Sequence, residues 1–192
     1  MPDLSDQDGS LTLDSFREQI CKCVKCPLGR TRIKFVFGVG DPHADLVFVG
    51  EAPGRDEDLQ GEPFVGRAGQ LLDKILAAIK RSRDEVYICN ILKCRPPDNR
   101  TPHQDEIESC MPFLEQQLNI IKPKLIVALG ATSAHALLKV KTPLGKLRSQ
   151  KWKWKNFDLV VTYHPAALLR NPAFKRPAWE DFQWIDKLIA EA

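Results

Sequence analysis

Four cysteines stand at spacings suited to thiolate chemistry. Cys23 and Cys26 form a C-x2-C pair, and Cys94 and Cys110 follow far along the chain with Pro96, Pro97 and Pro102 between them. This is the layout of a metal or iron–sulfur site that ties an early segment to a later part of the fold. Cys21 makes a C-x-C with Cys23 and competes with it as a ligand. The partner Cys26 favours Cys23, because C-x2-C lets two thiolates face one cluster. Zinc on the same four thiolates is an alternative. Cys89, in the apolar run VYICNIL, reads as a small buried hydrophobe.

A second set of residues is polar and ends apolar runs. GEAPGRDED (50–58) begins with Gly50, and Gly54 follows. Both permit close approach of a ligand to the backbone, whose N–H groups suit a phosphate, a carbonyl or a water. The plainer reading is a tight strand-to-helix turn with an acidic helix start. The nucleotide P-loop pattern is absent. Phe64 stands in the Gly-flanked loop QGEPFVGRAGQ (60–70); presented from a loop, such a ring stacks on a planar base, and otherwise it plugs the core beneath. Asn90 lies inside an apolar run, where an unpaired amide is costly. Its carboxamide offers an acceptor and a donor side by side, unless it bonds the neighbouring backbone. His164 ends the run before Pro165, in VTYHPAALLRNP. Leu168, Leu169 and Arg170 follow it and suggest an apolar wedge beside a cation, the device that props open a duplex; the alternative is a short helix with both leucines in the core.

Basic residues gather in or near the same loops: Lys93, Arg95, Arg100, Lys146, Arg148, Lys151, Lys153, Lys155, Arg170, Lys175 and Arg176. Collected on one side they would bind phosphates even at a net charge of only +3; spread out, they are an ordinary solvated face. In KWKWK (151–155) the alternation turns Trp152 and Trp154 inward and the lysines outward.

These residues need a frame. The 192 residues are 43% hydrophobic and 28% charged, enough to bury one core. No run approaches the length needed to span a bilayer. The acidic, polar start has no basic n-region or apolar h-region, which predicts no secretory signal and a cytoplasmic, nucleoid-associated protein with reduced cysteines. Residues 1–10 read as a flexible terminus. DLVFVG (45–50), VYICNILK (86–93), KLIVALG (124–130) and DLVVTYHP (158–165) are continuous apolar runs, as strands buried on both faces require. Helical spacing covers 14–20, 68–80, 103–122, 131–139 and 178–191, with Pro112 expected to kink or divide the third of these. The alternation predicts a single α/β domain over 1–192, a mostly parallel sheet with helices on both faces. Ligands of such sheets bind beyond the carboxyl ends of the strands, where Gly50, Asn90 and His164 all fall.

GEAPGRDED, PFVGRAGQLLD, NILKCRPPDNRTP and TYHPAALLR, together with the four cysteines, resemble the family 4 uracil-DNA glycosylases, the iron–sulfur members of their superfamily. The resemblance runs from about Cys23 to the final helix. It implies a three-layer αβα fold around a central four-stranded parallel sheet, and a [4Fe–4S] cluster on Cys23, Cys26, Cys94 and Cys110. It implies hydrolytic excision of uracil from single- and double-stranded DNA by a monomer, leaving an abasic site. By motif, Phe64 would stack on the flipped uracil and Asn90 would read its edge. The N3–H donor beside the O4 acceptor matches one orientation of the amide, which cytosine inverts. His164 would hydrogen-bond the O2 side. Glu51, Ala52 and Glu57 fall in the motif lining the pocket and its water, with Gly50 at its start, and Asn99 in one near the sugar. Arg95, Arg100, Leu168, Leu169 and Arg170 would meet the DNA. The best-known branch of the superfamily carries a water-orienting Asp where this chain has Ala52. That departure implies a dissociative reaction, with Glu51 or Glu57 steadying the cation or placing water. The residue that excludes thymine's methyl is left open by the motifs; Glu57 is the candidate, since Gly54 is too small. A neighbouring branch of covalent or non-catalytic uracil-DNA binders carries a basic loop insert, for which there is no counterpart after Leu147.

Overall fold

The computed structural model describes residues 11–191; the segment read as a flexible terminus lies outside them. The strands are β1 (Val39–Gly40), β2 (Leu46–Gly50), β3 (Tyr87–Asn90), β4 (Leu125–Leu129), β5 (Trp152–Trp154) and β6 (Phe157–Thr162). The helices are α1 (Leu13–Ile20), α2 (Leu28–Thr31), α3 (Arg55–Gln60), α4 (Arg67–Ala78), α5 (Gln104–Ile121), α6 (Ala131–Leu138), α7 (Leu144–Leu147), α8 (Pro165–Arg170) and α9 (Lys175–Ala190).

All strands share one sheet in the order β1-β3-β2-β4-β6-β5. The inner four are mutually parallel. The sheet is wider than the four strands expected, because β1 and β5 add antiparallel edges. The inner strands are apolar throughout because both faces are covered. Val47, Val49, Tyr87, Cys89, Ile126, Ala128, Leu159 and Val161 share one core with residues of α1, α5 and α6. Leu46, Phe48, Ile88, Leu125, Val127 and Val160 face the other, with Leu72 and Leu76 of α4 and Phe182 and Ile185 of α9.

α5 runs unbroken through Pro112, contrary to the kink or boundary expected. Proline forfeits one N–H and crowds one turn, but Cys110, Phe113, Leu114, Gln117 and Leu118 are buried around it. Burial of that face outweighs the local defect. In β5, Trp154 is buried and Trp152 half-buried, with Trp152 Nε1–H donating to the Leu147 carbonyl at 2.9 Å.

Candidate active site

The parallel register brings the strand ends together. Gly50 pairs with Asn90 across β2 and β3, and Leu129 with Thr162 across β4 and β6. The Gly130 N–H then donates to the Thr162 carbonyl at 2.8 Å. Gly130 has φ +91° and a Cβ there would stand 2.9 Å from His164 Cβ, so glycine is what lets β4 end against His164. A methyl on Gly50 would overlap Asn90 Oδ1 and lie 2.7 Å from the Phe64 ring. The Phe64 and His164 rings are stacked with centroids 5.4 Å apart. Gly50, Phe64, Asn90 and His164 therefore occupy one spot, though they come from four separate segments.

Asn90 is 2% exposed, and its Oδ1 finds no donor among the described residues. A buried carbonyl oxygen without a partner is costly in a folded core. Its main-chain oxygen is satisfied, accepting from Lys93 Nζ at 2.8 Å. His164 is half-buried and N-caps α8, its Nδ1 accepting the Ala166 N–H at 3.1 Å. Nδ1 is thus the acceptor and Nε2 carries the proton of a neutral ring. Burial, reinforced by the charge of Arg170, lowers the His164 pKa to about 4. The imidazole is a neutral hydrogen-bond donor at physiological pH.

Phe64 is 6% exposed and belongs to the core on the α4 side of the sheet, so its ring is both core packing and a wall of the site. Glu57 is committed to backbone: one carboxylate oxygen accepts the Val65 and Gly66 N–H groups at 3.0 Å each, the other the Gly54 N–H at 3.1 Å. Glu51 is half-buried and makes no side-chain hydrogen bond or ion pair among the described residues, and Ala52 is half-buried beside it. Asn99 is exposed, at φ +54° in the turn after Pro97, and its Oδ1 accepts from Arg95 Nε at 2.8 Å. Arg100 forks onto both oxygens of the buried Glu106, at 2.9 and 2.6 Å; those bonds hold the Glu106 carboxyl below its usual range.

Leu168 and Leu169 part company. Helix α8 turns Leu168 into the protein at 2% exposure and leaves Leu169 40% exposed beside Arg170. A two-leucine wedge is therefore reduced to one apolar tip. The basic face is thinner than the charge count implies. Lys93 is fully buried, and Arg148, Lys151, Lys153, Lys155 and Arg176 are paired with Asp181, Asp158, Glu115 or Glu180. Of the eleven cations, Lys146, Arg170 and Lys175 lack a carboxylate or hydrogen-bond acceptor among the described residues.

Cys94 and Cys110 are buried, at 4% and 5% exposure, and Cys23 and Cys26 pack against the same core. Cys110 and Cys26 are near enough to Cys94, and Cys26 and Cys23 to Cys110, for ionisation of one thiol to oppose that of the other. Cys21 is not in this set; its thiol turns to the Glu18 carbonyl at 3.4 Å. Burial pushes the Cys94 thiol up to about 11, against the pull of Arg32. Arg32 Nη1 donates to Cys94 Sγ at 3.3 Å and to the Cys23 carbonyl at 2.6 Å, while Nη2 donates to the Cys21 carbonyl at 2.9 Å. Among the described residues, no group of three or more His, Cys, Asp or Glu side chains is arranged to hold one metal ion.

Several residues that matter here drew no site assignment from the sequence. Lys93 was counted as a surface cation, although its place at the end of an apolar run signals burial. Arg32 lies in none of the motifs. Asp181 lies in α9, far from the motifs, and accepts from Arg148 at 2.7 and 2.9 Å and from Thr162 Oγ1 at 2.6 Å. It braces the strand end two residues before His164.

Residues 37–184 match the uracil DNA glycosylase superfamily. A Type-4 uracil-DNA glycosylase of Archaeoglobus fulgidus is 43% identical over 188 residues, covering 94% of each chain. A Type-4 uracil-DNA glycosylase of Thermotoga maritima is 44% identical over 176 residues, 90% of this chain and 92% of its own. A Type-5 uracil-DNA glycosylase of Pyrobaculum aerophilum is more distant, 28% identical over 191 residues, covering 82% of this chain and 84% of its own.

Proposed function

The chain belongs to the uracil-DNA glycosylase superfamily and is a uracil-DNA glycosylase, and we propose that it draws uracil out of DNA and hydrolyses the glycosidic bond to leave an abasic site. The observation that carries this reading is the unpartnered Oδ1 of Asn90 beside Gly50, Phe64 and His164. Uracil N3–H supplies the missing donor, and the other half of the carboxamide donates to O4. Cytosine presents an acceptor at N3 and leaves Oδ1 unpaired. A flipped base is the way such a pocket is filled.

The chemistry follows from what these side chains hold. Bond breaking leaves negative charge on the departing base. The neutral His164, its Nδ1 already occupied, offers Nε2–H to the base's O2. One preorganised donor to developing charge is worth about 3–4 kcal/mol. Ala52 places no carboxylate for water where the better-known branch has one, so the sugar cation forms first and water captures it. Glu51, half-buried and without a side-chain partner among the described residues, is free to steady that cation or orient the water. Glu57, with three backbone N–H groups on its oxygens, shapes the pocket as a brace, and we assign it the exclusion of thymine's methyl. Asn99 and Arg95 act together next to the sugar and its phosphates, Arg100 and Arg170 at the flanking backbone, and Leu169 fills the gap left by the flipped base over the buried Leu168.

The donor set suits a [4Fe–4S] cluster held by Cys23, Cys26, Cys94 and Cys110. The Cys94 and Cys110 thiols are buried where free thiolates are disfavoured, Cys23 and Cys26 are half-buried against the same core, and Arg32 donates to Cys94 Sγ. The group would supply a cross-link and no redox step, since hydrolysis transfers no electrons. The protein acts as a single-domain monomer on single- and double-stranded DNA, in the cytoplasm at the nucleoid.

Oligonucleotides matched except for one base test this. Uracil release from U:G duplex and single strands without added metal is expected, leaving an alkali-labile site, with no release of thymine or cytosine. Absence of uracil release defeats the reading. Leu169→Ala should slow release from duplex about 10-fold, because unpairing costs a few kcal/mol, and change the single-stranded rate less than about twofold. Equal losses on both substrates would remove the wedge.

A further inference from the structure

We infer that Arg83 is a positioning residue for Phe64, fixing the ring that stacks on the base; the inference rests on the proposed role of Phe64. The Phe64 backbone is left-handed, with φ +54°, a conformation that a bulky residue keeps only when its surroundings impose it. Two charges impose it here. Arg83 Nη2 donates to the Pro63 carbonyl, and Nη1 donates to the Phe64 carbonyl at 3.1 Å. On the following side Glu57 accepts the Val65 and Gly66 N–H groups. A cation thus holds the oxygens of the peptides before and after Phe64, and an anion holds the nitrogens of the peptide after Phe64 and of the next one. Helix α4 closes the third side, where a Cβ on Gly69 would overlap the Phe64 carbonyl.

Arg83 stands at the start of the 3-10 turn Arg83–Glu85, which leads directly into β3 and Asn90. It therefore ties the stacking ring to the strand that carries the base-reading amide. Its side chain is 23% exposed, and its one carboxylate partner, Asp73 at 3.0 Å, is 47% exposed. The two carbonyl bonds are the distinctive ones, because a guanidinium fork spans two adjacent acceptors and an ammonium does not.

A double-mutant cycle of Arg83→Ala and Phe64→Ala, read as single-turnover uracil release and as KM, separates positioning from mere stability. Arg83→Ala is expected to slow the chemical step about 10–100-fold, the scale of a misplaced reacting group, with KM changed less than about threefold. In the Phe64→Ala background the same substitution should cost less than about threefold more. Asp73→Ala, which spares both carbonyl bonds, should stay within about twofold of wild type, and Arg83→Lys should fall between. If Arg83→Ala does not fold, Arg83→Lys is carried through the cycle. Losses that multiply, or a folded Arg83 variant as fast as wild type, overturn the inference. An unchanged rate in Phe64→Ala instead overturns the role of Phe64, and a wild type that releases no uracil overturns the function itself.

Discussion

His164→Ala is expected to slow uracil release about 100–1,000-fold, the cost of deleting one preorganised donor to a developing anion, with little change in DNA binding. The reason is in the ring's bonding. Nδ1 accepts the Ala166 N–H, so the imidazole offers Nε2–H without becoming charged. Since the pKa is lowered to about 4, mainly by burial, the wild-type rate should show no step near pH 6.5 and should fall only toward pH 4. There the protonated Nδ1 can no longer accept from Ala166. Stability has the same sign. The unfolded ring titrates near 6.5 and the folded one near 4, so the unfolded chain binds the extra proton between those values. The contribution is complete above pH 6.5 and is lost as pH falls through the folded pKa. Denaturant titrations of wild type and His164→Gln at pH 7.5 and 5 measure it. A His164→Ala enzyme retaining more than about a tenth of the rate would place the donor elsewhere.

If the proposed cluster is bound, the purified protein is brown, and Cys94→Ala should remove that colour and its visible absorption and lower Tm by about 10 °C or more. That corresponds to several kcal/mol in a chain of this size. Cys94 joins its own segment to the N-terminal one in two ways, through the proposed cluster and through the Arg32 hydrogen bond that also reaches the Cys23 carbonyl. Its loss frees the segment carrying Cys23, Cys26 and Arg32, which limited proteolysis would report as new cleavage there. Uracil release and DNA binding should fall together, because Arg95 and Asn99 follow Cys94 directly in the chain. Normal Tm and DNA binding with selectively lost bond cleavage would assign the cysteines a chemical part. Iron analysis with equal content in Cys94→Ala and wild type would place the cluster on other ligands. Cys21→Ala should leave colour and Tm unchanged, its thiol being turned to the Glu18 carbonyl.

The inner sheet was readable because strands buried on both faces need side chains that are apolar at every position, and such runs stand out without any knowledge of partners. The edge strands β1 and β5 were not resolved as edges, since two or three residues pair only because a neighbour is already in place. Pro112 shows the limit of a local rule: the defect is local, but the face of α5 that outweighs it is buried against distant strands and α1.

In the site, residue types and order pointed to Gly50, Phe64, Asn90, His164 and the cysteines, because each requirement is local: a small residue at a strand end, a ring in a glycine-flanked loop, an amide in an apolar run, thiols at cluster spacing. Partnership was not local. Counting cations left a basic face and an ordinary solvated one both open, while Glu106 and Asp158 from nearby in the chain, and Glu115 and Asp181 from far away, neutralise much of the charge. Leu168 and Leu169 were equivalent until one turn of α8 buried the first and exposed the second. The chain by itself thus determined which chemical groups were available and which strand ends they would reach. Only the tertiary structure decided which groups were left unpaired, as the Asn90 oxygen is, and which were consumed as braces, as Glu57, Arg83 and Arg100 are. Some of that pairing folds within one loop, as for Glu57 and Arg100, but pairs such as Arg83 with Phe64 or Arg148 with Asp181 depend on distances between separate segments, which exist only once the sheet has closed.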